Sequence, residues 1–321
     1  MTKDFTAEKL YPWNRCIPEE RRDDWELLTF NPDDFFGTAL LFRHKKHSTY
    51  AVGTVGECSN SDFFCEIPIR DEIFFAARQT EDTWILLVYD GDIEYMMRLR
   101  LNAGRRPEVL NTEILGSEVR RCMVNRQGHI LIGYDNSCYF SDAYGFDSVP
   151  VADLSIESAG AGQNGTILPL LEWYDAEGNL IHMFSDNRNT VITELNIDSE
   201  DRALITVDLA DPIIRLAPGD ISYIDKNCLF GTVIEGLTEA ENHSGYLISF
   251  SNGREILHDE QELPYRSFSM PSTMWLESGA SDPVPCRVSC GKKENLPLDG
   301  YSCRGNTVLI EEDGWIYRLL L

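Results

Sequence analysis

Apolar and polar positions along this chain follow a period of two far more often than a helical period. Runs such as Trp84-Ile85-Leu86-Leu87-Val88-Tyr89, Thr190-Val191-Ile192-Thr193-Glu194-Leu195 and Gly245-Tyr246-Leu247-Ile248-Ser249-Phe250 are rich in β-branched and aromatic residues. They end at short polar turns, the signature of strands. A helical reading is confined to the start, around Ala7 to Leu10 and Pro18 to Trp25. Pro18 suits a first helical position, and Glu19 and Glu20 follow where the helix dipole favours acids.

One turn recurs. An apolar residue leads into a short polar turn closing on Gly or Asn, and an apolar run follows. Copies are Val124-Asn125-Arg126-Gln127-Gly128, Tyr174-Asp175-Ala176-Glu177-Gly178, Ile224-Asp225-Lys226-Asn227 and Ile310-Glu311-Glu312-Asp313-Gly314. Asp and Asn bond their own backbone in such turns, and Gly or Asn closes them at positive φ, so each copy predicts a β-hairpin. Looser copies lie near His47, Asp82 and Gly279. Neighbouring copies are roughly 35 to 52 residues apart, against about 40 to 50 residues for a four-stranded propeller blade.

The expectation is an all-β chain folded as a β-propeller, with seven blades preferred and six if the His47 or Gly279 copy is incidental. The last turn leaves room for two strands before Leu321, so an N-terminal strand is expected to complete the final blade; Trp25 to Phe30 is the candidate. Such closure removes exposed sheet edges. The predicted organisation is an N-terminal extension, 1–23, with short helical or irregular segments, then one propeller, 24–321.

From about Asp24 to Leu321 this pattern resembles a β-propeller of the broad WD-repeat-like type. No Gly-His opening pair, Trp-Asp closing pair or kelch double glycine recurs. The resemblance therefore implies the fold alone and carries over no functional residue.

Charge narrows the partners. Asp and Glu number 53 against 28 Lys and Arg, a formal net charge of −25. Such a surface repels nucleic acid and anionic membrane, and it favours solubility and basic partners. The opening Met1-Thr2-Lys3-Asp4-Phe5 lacks the apolar core of a signal peptide, and no apolar run approaches a bilayer-spanning length. With nine scattered cysteines, the expectation is a cytoplasmic, monomeric protein with free thiols. The acceptor-like Asn164-Gly165-Thr166 and Asn242-His243-Ser244 have no role there.

The chemical motifs are sparse. Gly160-Ala161-Gly162-Gln163-Asn164-Gly165 spells the dinucleotide fingerprint, but Pro169 lies in the apolar run that follows, where the pyrophosphate would need a helix N-terminus. Cys286 and Cys290, with Cys303 beyond, supply part of a zinc ligand set without an evident fourth ligand. Nucleophile-elbow, zincin and phosphate-loop motifs are missing, and the 6 histidines are dispersed. No cofactor, metal or catalytic residue is expected. The compact basic cluster Arg43-His44-Lys45-Lys46-His47 reads as a solvated turn or an acidic-partner contact.

Acids concentrate at turns and blade entries. If the recurring turn joins the first and second strands of each blade, the opposite rim carries Asp33, Asp34, Asp71, Glu72, Asp90, Asp92, Glu118, Asp135, Asp186, Asp220, Glu235, Glu239 and Glu241. Propeller ligands commonly meet such converging loops, although turns also favour Asp and Asn for local reasons. Tyr265, Arg266 and Phe268, in a loop with Pro264 and Pro271, are candidate interface anchors. The leading expectation is a non-enzymatic propeller whose acidic rim engages a basic protein, with an inhibitor or immunity-type role as one form. The alternatives are a metal-assisted hydrolase or lyase with carboxylates at the channel mouth, and an architectural subunit.

Overall fold

In the computed structural model the strands gather into six sheets around one axis, a six-bladed β-propeller. The structure describes residues 2–33, 37–58, 62–102, 106–115, 118–135, 146–150, 169–186, 191–207, 213–224, 234–250, 273–280, 284–293, 296 and 301–321. The chain opens with β1 (Lys3–Thr6), β2 (Glu8–Pro12) and the 3-10 turns Trp13–Cys16 and Glu19–Asp24. Blade I is β3 (Trp25–Asp33), β4 (Gly37–His44), β5 (Tyr50–Val55) and β6 (Phe63–Ile67). Blade II is β7 (Glu72–Arg78), β8 (Thr83–Tyr89), β9 (Glu94–Arg100) and β10 (Glu108–Ile114). Blade III is β11 (Glu118–Val124), β12 (Ile130–Asp135), β13 (Phe146–Pro150), β14 (Pro169–Tyr174) and β15 (Leu180–Asp186), with β13 outermost. Blade IV is β16 (Ile192–Ile197), β17 (Ala203–Val207), β18 (Ile213–Ala217) and β19 (Asp220–Ile224). Blade V is β20 (Ile234–Glu239), β21 (Gly245–Phe250), β22 (Thr273–Glu277) and β23 (Val284–Ser289). Blade VI is β24 (Tyr301–Arg304), β25 (Thr307–Glu312) and β26 (Trp315–Leu320).

The first strands of the blades, β3, β7, β11, β16, β20 and β24, abut in turn and close a ring around a central channel. Side chains alternate across each pleat, so a middle strand feeds two neighbouring blades. In β4, Leu40 and Phe42 pack toward blade VI while Ala39 and Leu41 pack toward blade II. In β8, Trp84, Leu86 and Val88 face blade I, and Ile85 and Leu87 face blade III. Burial on both faces explains why these strands read as almost continuous apolar runs. The described core falls into six clusters, one between each pair of adjacent blades.

Closure uses a different segment from the one expected. Trp25–Asp33 is the innermost strand of blade I. The outer strand of blade VI is β2, antiparallel to β26, with Glu8 opposite Arg318 and Pro12 opposite Trp315. Just before it, β1 adds in parallel to β23, with Lys3 opposite Cys286. Residues 3–12 thus tie blades V and VI together, whereas the sequence reading placed 1–23 outside the propeller. The helix expected over Ala7 to Leu10 is strand, because an open edge on β26 offers these backbone groups partners. Pro18 to Trp25 does contain a helical turn, of 3-10 form.

Seven turns map onto six blades because the turn chemistry is not confined to one position. The Gly128 and Gly178 turns both lie in blade III, joining β11 to β12 and β14 to β15. The turns at His47 and Gly314 join second strands to third strands. The Asn227 turn lies outside the described residues. One further copy hides in blade IV, where Asp198 Oδ1 accepts the N–H groups of Glu200 and Arg202 at 2.9 and 3.0 Å. There Asp201 takes the positive φ, at 63°, so no glycine marks the turn. Among the described residues no helix is long and apolar enough to cross a membrane.

Candidate functional site

Strand direction divides the loops between two rims. Turns between first and second strands and between third and fourth strands lie on one, called here the turn rim. Turns between second and third strands, and connections entering each blade, lie on the other, the entry rim. The expected acidic rim is divided accordingly. Asp71, Glu72, Asp90, Asp92, Asp135, Asp186 and Glu235 lie toward the entry rim, whereas Asp33, Asp220, Glu239 and Glu241 lie at the turn rim. Asp33 and Glu239 end first strands and Asp220 begins a fourth, which puts them on the same rim as Gly128 and Gly178. Asp34, and with it Tyr265, Arg266, Phe268 and the Gly160–Gly165 fingerprint, lie outside the described residues.

Several turn-rim acids are consumed internally. Asp33, with its side chain fully buried, meets Arg78 at 3.3 Å, and burial pulls the Arg78 guanidinium below its usual range. Asp198 binds Arg202 at 2.6 Å and Arg215 at 3.2 Å. Glu239, also buried, takes the other side of Arg215, together with the Tyr246 hydroxyl and His243 Nδ1, the latter at 3.1 Å. These pairs fasten blade I to II and blade IV to V. Asp220 and Glu241 remain exposed at this rim.

The entry rim of blades II and III is different. Glu72, opposite Tyr89, begins β7, and the Asp90-Gly91-Asp92 turn joins β8 to β9. Asp90 Oδ1 accepts the N–H groups of Asp92 and Ile93, both at 2.9 Å, which holds its carboxyl below the usual range. Asp71 accepts the Tyr95 hydroxyl at 2.8 Å. Glu94 accepts the Val119 N–H at 2.6 Å, while partial burial and the Glu118 charge push its carboxyl up. Among the described residues none of Asp71, Glu72, Asp90, Asp92, Glu94 and Glu118 makes an ion pair. Set among them are exposed apolar side chains: Tyr89 at 38%, Ile93 at 40% and Ile114 at 67%. Sequence reading had no role for Glu94, Tyr89, Ile93 or Ile114. The signal was present as apolar flanks around an acidic turn, Tyr89-Asp90-Gly91-Asp92-Ile93, but only strand pairing brings Ile114 opposite Tyr95.

The basic stretch Arg43 to His47 joins β4 to β5 at the neighbouring entry-rim turn. It is partly neutralised, since Arg43 binds Glu26 at 2.6 Å and Lys45 donates to the Asp23 carbonyl at 2.8 Å. His44 lies between Trp25, which it meets edge to face, and His47.

The channel holds a cavity of about 280 Å3, lined by β3, β7, β8, β11, β16 and β24. Toward the turn rim, Asn196 links blade IV to blades V and VI. Asn196 donates to the carbonyls of Leu237 and Gly305 at 2.9 and 3.2 Å and accepts the Gly305 N–H at 3.0 Å. Arg121 meets Glu194 at 3.4 Å across the cavity wall. Arg120, exposed and also lining it, has no hydrogen-bond or ion-pair partner for its guanidinium among the described residues. Cys303 is fully buried at this wall, and burial pushes its thiol well up. The Cys286 thiol, on β23, is pushed up to about 12 by burial. Among the described residues no group of three His, Cys, Asp or Glu side chains is placed to hold a metal ion.

The geometry defines a six-bladed β-propeller with an acidic, apolar-studded entry rim and a small polar channel cavity. No protein-family model matches the chain, and no curated protein does. Solved structures of WD40 and other β-propeller proteins are similar in fold. YCF48 from Cyanidioschyzon merolae matches over 94% of this chain and 82% of its own, at 8% identity and a TM-score of 0.50. The β-propeller domain of Cps50 (Swd1) from Myceliophteria thermophila matches over 92% and 83%, at 11% identity and a TM-score of 0.49. Virginiamycin B lyase from Staphylococcus aureus matches over 99% of both chains, at 11% identity and a TM-score of 0.47. At these identities the likeness is one of fold.

Proposed function

We propose that this propeller is a non-enzymatic protein-binding scaffold, and that the entry rim of blades II and III docks a basic segment of a partner protein. The observation that carries the reading is the set of six carboxylates without ion pairs among the described residues, grouped around exposed Tyr89, Ile93 and Ile114. Carboxylates elsewhere, at Asp33, Asp198 and Glu239, already hold arginines. A cationic segment would be steered by the net charge and neutralise the patch, while the apolar side chains supply buried contact area. Where the partner's own activity depends on a basic cleft, occupation of that cleft would inhibit it.

The test is affinity capture from native extract at low and at high salt, with the wild type, the Asp90→Lys/Asp92→Lys variant, and Asp220→Lys as a turn-rim control. The expected result is a partner set enriched in basic proteins, lost at high salt and in the double variant, and retained by the control. Retention by the double variant, or equal loss in the control, would overturn the reading. The coupled prediction is quantitative. For an isolated partner, reversing the two rim charges lowers the association rate by about tenfold or more at low salt, and the effect shrinks as salt screens it.

A further inference from the structure

The channel cavity adjoins the acidic rim patch at Val119, whose N–H Glu94 accepts, but its chemistry has the opposite sign. Two adjacent guanidiniums, Arg120 and Arg121, lie in its wall against one carboxylate, Glu194. Arg121 is spent on Glu194, at 3.4 Å, and on the Arg120 carbonyl, at 3.0 Å. Asn31 and Ser302 satisfy each other at 3.0 Å, and Asn31 donates to the Ala76 carbonyl at 2.8 Å. What remains is one positive charge, on Arg120, with no partner among the described residues. On a chain of net charge −25 this arginine has many acids available to it, yet it stands unpaired among the described residues at the wall of a half-open cavity. Apolar side chains line the cavity beside it, on the adjacent strand β7 and on β11 itself. Phe74 and Phe75, at the irregular register of β7, are only half-buried and leave ring surface in the cavity. Met123 joins them.

We infer that this cavity binds a small monoanionic organic acid, with its carboxylate on the Arg120 guanidinium and an apolar or aromatic body against Phe74, Phe75 and Met123. The guanidinium fork matches a carboxylate in a two-point hydrogen bond. A single uncompensated charge suits a monoanion better than a dianionic phosphate, and the apolar wall favours a body that phosphate lacks. At about 280 Å3 the space lies just below the range of drug-sized ligand pockets, which start near 300 Å3, and so suits a smaller molecule.

Phenylacetate, its neutral analogue phenylacetamide and inorganic phosphate serve as probes with the full chain. Binding is followed by calorimetry and by the methyl resonance of 13C-labelled Met123, with Met274, in the core between blades IV and V, as the distant reference. Phenylacetate should bind and shift Met123 but not Met274, with phenylacetamide and phosphate each at least about tenfold weaker. Arg120→Gln, at an exposed position, should keep the wild-type melting temperature and lose about tenfold or more in phenylacetate affinity. Arg120→Lys should fall between the two, because it keeps the charge and loses the fork. Equal binding of the amide, equal binding of phosphate, unchanged affinity in Arg120→Gln, or no phenylacetate binding at about 10 mM would each overturn the inference. None of these outcomes bears on capture of a basic protein by the rim.

Discussion

Glu172 shows how a single side chain can work against the fold that holds it. It lies buried on β14, where the Tyr134 and Tyr174 hydroxyls donate to the same carboxylate oxygen, the Tyr174 bond at 2.6 Å. Burial raises its pKa, the two tyrosines oppose that rise, and the nearby Glu113 charge adds to it. A folded-state value above the unfolded one means that Glu172 favours folding below the unfolded pKa, near 4.5. That contribution is lost as pH rises through the folded value. Glu172→Gln should therefore be more stable than wild type at pH 8, on the order of 1 kcal/mol, and the difference should close near pH 4. Chemical denaturation at the two pH values measures both. Asp33 and Arg78 are also buried, but each is paired with the other. Removing one partner strands the other's charge, and Arg78→Ala should cost about 3 to 5 kcal/mol, read from the urea midpoint.

At the scale of elements, the recurring turn both reverses the chain and joins blades. In the Gly178 turn, Asp175 Oδ1 accepts the N–H groups of Glu177 and Asn179 at 3.0 and 2.8 Å. Blade II then clamps the turn. Arg98 donates to the Ala176 carbonyl at 2.6 Å and to the Glu177 carbonyl, and Gln79 donates to the Ala176 and Gly128 carbonyls at 2.9 and 2.7 Å. Gly178 has φ of 87°, and a Cβ there would stand 2.9 Å from both Arg98 Cδ and Asn111 Nδ2. Gly219 has φ of 81° with nothing within 4 Å of such a Cβ. Gly219→Ala should cost only the left-handed backbone strain, about 1 to 2 kcal/mol, whereas Gly178→Ala should cost measurably more because it also displaces Arg98. Thermal denaturation of the two variants gives the difference, and equal costs would show that the clamp carries no stability. These interblade contacts were not legible in the sequence, because Arg98 and Glu177 are 79 positions apart and nothing in either local pattern refers to the other.

At the scale of the molecule, stability depends on closing the ring. Tyr11 on β2 is buried with Leu309 and Ile316 of blade VI and with Leu40 and Phe42 of blade I, and its hydroxyl meets Thr38 Oγ1 at 3.0 Å. Ala7, between β1 and β2, is buried with the cluster of blades V and VI. Removing residues 2–12 would strip both clusters and leave β26 and β23 as open edges. The expected result is loss of a single cooperative unfolding transition and concentration-dependent association. A synthetic peptide of residues 2–12 should restore the transition in trans, and failure of that rescue would mean that the segment does not act by closure. The milder Tyr11→Ala should cost about 3 kcal/mol or more. The need for a terminal strand was readable from the short last blade, but its identity was not. Trp25 to Phe30 carries the stronger strand pattern and takes the innermost position, where it pairs with β4 and abuts two neighbouring blades, which leaves the polar Glu8–Pro12 for the outer edge.

By itself the sequence determined strands, turns and the scale of their repetition. These follow from local physics: side-chain alternation, Asx turns, and burial on both faces of a strand. It also determined a strong negative charge, since charge is a sum that needs no geometry. Tertiary structure decided the blade count, because the same turn chemistry serves several positions within a blade. It decided which acids are free, because an acid's availability depends on whether distant Arg78 or Arg215 reaches it. It also placed Arg120 in the channel wall, where six first strands from separate parts of the chain converge around a space that no local pattern describes.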